Sequence, residues 1–155
     1  MCIRDRHKED FDAIKKQDII DFLSKENIGL KEGMIVLIKT GRDRLMGTQE
    51  FFSTGTGMSK EATEYLIDQG IKVMGIDAWG WDLPLPHLIK KAKETNNKDL
   101  FWEAHLIGTQ KEYLHMEQLT NLGALPYTGF KIACFPMKIV GGSAAPARVV
   151  AIMDD

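Results

Sequence analysis

The chain has 155 residues, with 20 basic and 22 acidic side chains and a formal net charge of −2. That balance excludes a surface built mainly to bind nucleic acid or an anionic membrane. A content of 44% hydrophobic and 27% charged residues excludes a chain that stays disordered.

In chain order, Phe11, Ile14, Ile19, Phe22 and Leu23 recur at helical spacing within 10–27, which predicts a helix ended at Gly29. Met34 to Ile38 is a continuously apolar, β-branched run, the pattern of a strand buried on both faces. Residues 40–58, rich in Gly, Thr and charge, read as a long loop. Ser59 then caps a helix that runs through Ala62, Tyr65 and Leu66 and stops at Gly70. Ile71 to Ile76 reads as a second buried strand. A Trp- and Pro-bearing loop follows over 77–86, then a short basic helix over 88–93. Residues 130–135 and 149–153 read as two further strands. Helices alternating with buried strands predict an α/β fold. The lead, Met1 to Arg6, shows no periodicity and is expected to be a non-native or disordered start. No apolar segment follows it and no apolar run is long enough to cross a bilayer, so the expected setting is the cytoplasm.

Two cysteines, Cys2 and Cys134, are too few for a disulfide framework, and no CxxC spacing marks a zinc knuckle. Chemistry instead concentrates in two places. His105, His115 and Glu117 supply the side chains that most often hold Zn²⁺ or a related cation. His115 and Glu117, at i and i+2, share one face of an extended strand. A metal or catalytic site and a surface histidine beside a capping carboxylate both fit this pattern. In the second place, Asp77, Trp79, Trp81 and Asp82 occupy a loop after a strand, where open α/β sheets commonly bind ligands. The indoles suit either a pocket wall or the core, and an Asp suits a turn. Gly55-Thr-Gly57-Met-Ser59 lacks phosphate-loop spacing and reads as helix capping. Gly141-Gly-Ser-Ala-Ala145 misses the GxSxG elbow and reads as a turn. Cys134 reads as packing within a strand, and His7 and His87 as exposed.

Four segments in one order, 75-GIDAWGWD-82, 102-WEAH-105, 115-HMEQLTNL-122 and 135-FPMKIVGGS-143, resemble the C-terminal part of the cyclase-family metal-dependent hydrolases. That group includes kynurenine formamidase and isatin hydrolase. The resemblance, which covers about residue 19 to the end, implies a swivelling β/β/α fold with a mixed sheet flanked by helices. It also implies hydrolysis of an amide-type bond (amide, lactam or ester) in a small molecule, with Zn²⁺ or Mn²⁺ as cofactor. His105 matches a histidine at the metal centre, as ligand or as catalytic partner of the water there. Glu117 matches a carboxylate ligand, and Asp77, Trp79 and Trp81 match a substrate-binding region. Homo-oligomerisation is a further expectation. No nucleic-acid or membrane partner is expected.

The family's principal metal motif, His-x-x-x-His-x-Asp, is absent from the sequence. Residues 7–155 are therefore expected to form the C-terminal portion of a single domain whose N-terminal part is missing. With two ligands, the chain is expected to be inactive. The alternative function is a non-catalytic α/β binding or assembly domain that uses the Trp79/Trp81 loop as its interface.

Overall fold

The computed structural model describes residues 1–4 and 8–153. Four strands, β1 (Cys2–Arg4), β2 (Ile35–Lys39), β3 (Val73–Ile76) and β4 (Leu114–Met116), form one parallel sheet in sequential order. Parallel neighbours need crossovers, and these carry α1 (Lys16–Lys25), α2 (Gln49–Ser53), α3 (Lys60–Asp68) and α4 (Leu85–Thr95). Two further strands, β5 (Phe130–Pro136) and β6 (Ala147–Met153), pair antiparallel as a separate ribbon.

The pleat sends alternate side chains to two different cores. Ile3, Ile38, Met74 and Ile76 face Ile19 and Leu23 of α1 and Ala62 and Leu66 of α3. On the other face, Cys2, Leu37, Gly75 and Met116 stand in register. There Leu119 and Leu122 pack with Phe130, Ile132 and Val149 of the ribbon. Helices, parallel sheet and antiparallel ribbon thus give the expected β/β/α arrangement.

Several boundaries differ from those expected. Cys2–Arg4 pairs with Leu37–Lys39 and is largely buried, so the expectation of a disordered start is corrected for residues 1–4. Asp5, Arg6 and His7 lie outside the described residues. The first helix begins only at Lys16, where the Asp18 carboxylate accepts the Lys15 N–H at 2.7 Å. Before it, Phe11 takes a left-handed φ of 70° and stacks on His87 at 4.5 Å, so His87 is half-buried rather than exposed. The expected loop over 40–58 contains α2, capped by the Thr48 hydroxyl. α4 is longer at both ends than the basic run suggested.

Ser59 caps α3 as expected, its hydroxyl accepting the Ala62 N–H at 3.2 Å. Gly57, two residues earlier, has a separate task. Here the 55–59 loop crosses the end of the β3 loop, and Met58 N–H donates to the Trp81 carbonyl at 2.7 Å. A Cβ on Gly57 would lie 2.2 Å from the carbonyl carbon and oxygen of Asp82. Backbone, not a movable side chain, occupies that space. Gly57→Ala is therefore expected to lower the urea midpoint by the equivalent of about 1–3 kcal/mol. Gly29→Ala, with nothing within 4 Å of the added carbon, should stay within about 0.5 kcal/mol of the parent. Equal midpoints for the two variants would refute the close-approach role.

Candidate metal centre

The site lies just beyond the carboxyl ends of β3 and β4, where a parallel sheet opens. Met74 of β3 is in register with His115 of β4, which puts His115 on the face turned to the helices. Glu117 follows two residues later on the same side. Trp81 N–H, in the loop after β3, donates to Glu117 Oε1 at 2.8 Å and fixes that carboxylate. His105 enters from a different element, the first residue of a 3-10 turn spanning His105–Thr109.

The three side chains converge. His105 Nε2 lies 3.5 Å and His115 Nε2 3.3 Å from Glu117 Oε1. One ligand atom from each residue falls within 4.8 Å of the others, and this is the one such group among the described residues. Ligands about 2.1 Å from a tetrahedrally held ion stand about 3.4 Å apart, so the two separations from Glu117 Oε1 suit a cation. Two imidazoles and one carboxylate are a donor set for Zn²⁺, Mn²⁺ or a neighbouring divalent metal.

The surroundings orient each of the three side chains. Asp82, 5% exposed, approaches His105 Nδ1 with Oδ2 at 2.5 Å. A carboxylate only accepts, so Nδ1 carries the proton and Nε2 is turned toward Glu117. Trp102 stacks on the His105 ring at 4.9 Å. His115 packs between Trp81 and Tyr113 and meets His105 edge-on at 4.6 Å. Burial alone would lower the pKa of His105, but the bond and charge of Asp82, with Glu117, hold it above the ordinary 6.5. Burial would raise Glu117, yet His115, the Trp81 N–H and His105 draw it below the ordinary 4.5. Burial pushes the Tyr113 phenol up, and the Asp82 and Glu117 charges add to this.

Beside the three converging side chains lies a cavity of about 230 Å³ whose lining includes Trp79, Leu83, Leu85 and Trp102 as well as His105 and Glu117. Trp79 stands at its wall, braced edge-to-face by Phe52 at 4.7 Å. Trp81 borders the cavity but is fully buried, its indole N–H donating to Thr63 at 3.1 Å. That makes it a support for His115 and Glu117 rather than an exposed contact. Asp77 is a correction. It is fully buried, and its carboxylate accepts Thr40 N–H, Thr40 O–H and Gly41 N–H at 2.6, 2.7 and 2.8 Å. Those bonds tie the end of β2 to the end of β3 and leave Asp77 outside the cavity lining. His115 as a third ligand and Trp102 as a wall were not assigned from the resemblance. The i, i+2 spacing signalled the first, and adjacency to His105 was the one signal for the second. A larger cavity, about 500 Å³, lies against α1 and β1, away from these ligands.

In the ion-free protein the two opposed shifts define a pH window. The raised His105 contributes stability that is present below 6.5 and lost as pH rises through its folded value. The lowered Glu117 contributes stability present above 4.5 and lost as pH falls through its folded value. Urea midpoints of the ion-free chain should therefore be highest between the two ordinary values, 4.5 and 6.5, and decline as pH rises above 6.5. The decline should shrink in His105→Gln; equal slopes in the two proteins would count against the assignment.

No curated protein matches the sequence. The family profile described as "Putative cyclase" matches residues 1–83, more than half of the chain and including its first strand. Isatin hydrolase A from Labrenzia aggregata, bound to benzyl benzoate, superposes with a TM-score of 0.74 at 21% identity, over 99% of this chain and 60% of that one. Isatin hydrolase A from Ralstonia solanacearum gives 0.73 at 21%, over 92% and 53%. A predicted metal-dependent hydrolase from Bacillus stearothermophilus gives 0.66 at 26%, over 97% and 60%. The chain thus spans between half and two thirds of the length of these structures, and the fold it shares with them extends along nearly all of its own. With the sequence match and the shared fold pointing the same way, the chain belongs to the cyclase family.

Proposed function

We propose that the chain carries a divalent-metal site for hydrolysing an amide-type bond, whether amide, lactam or ester, in a small molecule. The observation that carries this reading is the convergence of His105, His115 and Glu117 beside an aromatic-walled cavity. The cyclase-family membership and the metal-dependent hydrolases among the similar structures support it. Zn²⁺ or Mn²⁺ is the proposed ion, held by His105 Nε2, His115 Nε2 and Glu117 Oε1. When bound, such an ion supplies Lewis acidity and lowers the pKa of water.

The remaining work falls to the chain's own groups. Asp82 keeps the His105 proton on Nδ1, so Nε2 presents a lone pair. A ring with both nitrogens so committed has none left to move a proton, and we therefore assign His105 as ligand rather than proton carrier. The Trp81 N–H keeps one Glu117 oxygen aimed at the histidines. Trp79, Trp102, Leu83 and Leu85 exclude water and receive the apolar part of the substrate. With His115 the ligands number three, the usual protein complement of a catalytic zinc site. The expectation of inactivity rested on the absent His-x-x-x-His-x-Asp motif and on a count of two ligands; His115 raises that count to three, and turnover by the chain alone is part of what the test below measures. Self-association of the chain belongs to the same proposal. The alternative of a Trp79/Trp81 interface is not favoured, because Trp81 has no exposed surface to offer.

The test is equilibrium dialysis of the chelator-stripped chain against Zn²⁺ and Mn²⁺, followed by assays on a panel of small amides, lactams and esters. One ion per chain is expected, with turnover proportional to occupancy. Glu117→Ala, His115→Ala and His105→Ala should each weaken binding at least about 10-fold and lower turnover in step. Unchanged stoichiometry and affinity in Glu117→Ala would sink the ligand assignment. Ion binding without turnover of any panel member would sink the hydrolase reading.

A further inference from the structure

Asp82 read from sequence is one more turn-forming aspartate, yet its surroundings are unlike those of a turn. It is 5% exposed, and three donors from two consecutive residues converge on its two oxygens. Ala104 N–H donates to Oδ1 at 2.8 Å, His105 N–H to Oδ2 at 3.1 Å, and His105 Nδ1 lies 2.5 Å from the same Oδ2. One oxygen therefore holds both the main chain and the side chain of His105. Fixing the backbone nitrogen and the ring nitrogen to one point leaves the imidazole little freedom about either side-chain torsion. Asp82 is itself seated from behind. Gly57 packs against its carbonyl so closely that a Cβ there would fall 2.2 Å away, and Met58 N–H anchors the preceding carbonyl. The exposed side of the same ring meets Trp102, whose backbone adopts a left-handed φ of 54°. Such a conformation in a bulky residue is costly and persists where neighbours over-determine it.

We propose that Asp82 is a positioning residue for the metal centre: it sets the tautomer and the aim of His105 before any ion arrives. This rests on the metal-site reading given above. A carboxylate behind a ligating histidine does two things. It keeps the proton off the ligating nitrogen, and it strengthens that nitrogen as a donor. Asn has nearly the same volume, but its amide N–H₂ cannot accept from Nδ1–H while its single oxygen serves the backbone. In Asp82→Asn the ring is driven to the other tautomer, with the proton on Nε2, and the ligand is blocked without being removed.

Two measurements test this in the intact chain with Co²⁺ as the probe. The first needs no substitution: ¹⁵N spectra of histidine-labelled, ion-free protein, recorded where His105 is neutral, should show it protonated at Nδ1. An Nε2-protonated ring would overturn the proposal. In the second, Co²⁺ affinity and the visible ligand-field band are compared for the parent, Asp82→Asn and Asp82→Glu. The expected loss in Asp82→Asn is about 10- to 100-fold in affinity with an altered band, and partial recovery is expected in Asp82→Glu. A purely structural role would lower the urea midpoint and leave the affinity of the folded fraction unchanged, and that result would overturn the proposal. If the parent chain fails to bind Co²⁺, the metal-site reading itself fails, an outcome separate from this one. Should Asp82→Asn not fold, the ¹⁵N spectrum of the parent decides alone.

Discussion

The register between β3 and β4 is the constraint on which the site depends. Pairing Met74 with His115 and Gly75 with Met116 sends Met116 into one core and His115 toward the other, because successive side chains in a strand leave on opposite faces. A slip of one residue would exchange them, burying the imidazole among Leu37, Leu119 and the ribbon. Gly75 guards against that slip. Its missing side chain leaves room for Leu119 and Leu37, whose methyls would lie 2.7 and 2.9 Å from a Cβ. The chemistry on one face is thus held in place by packing on the other.

From that register the two loops beyond the strands divide the labour of their aspartates. Asp77, at the end of β3, turns back to Thr40 and Gly41 and joins β3 to β2. Asp82, five positions on, turns forward to residues 104 and 105. The first carboxylate completes the sheet and the second completes the site. Between them Trp81 serves both, with its indole in the core and its backbone N–H on Glu117.

Much of this was legible in the sequence. β-branched runs mark β2 and β3, Ser59 marks the start of α3, and the i, i+2 spacing of His115 and Glu117 states a shared face. Residue type singled out His105, and the resemblance gave it a place at a metal centre. Other features carry no local signal. Cys2–Arg4 is too short and too charged to read as a strand, and it becomes one only because Ile35–Lys39 offers a parallel edge. Asp77 and Asp82 sit in one loop with the same side chain, and their roles differ only through partners that lie 36 to 37 residues upstream of the first and 22 to 23 residues downstream of the second. Trp79 and Trp81 alternate about a glycine in the same way: one lines a cavity and the other fills the core. Non-local contacts decided each of these cases, and local patterns cannot encode them.

The sequential parallel topology also bears on how the chain reaches this state. Each strand meets its neighbour only after a long crossover has closed, Cys2 with Leu37, Leu37 with Gly75, and Gly75 with Met116. Loop closure costs entropy before any pairing returns it, and folds dominated by such distant pairings fold slowly. Two of the three proposed ligands, His115 and Glu117, reside on or just past β4, the last strand of the parallel series. A competent site therefore exists only once the final crossover has docked, so the arrival of cation affinity during refolding would time completion of the sheet.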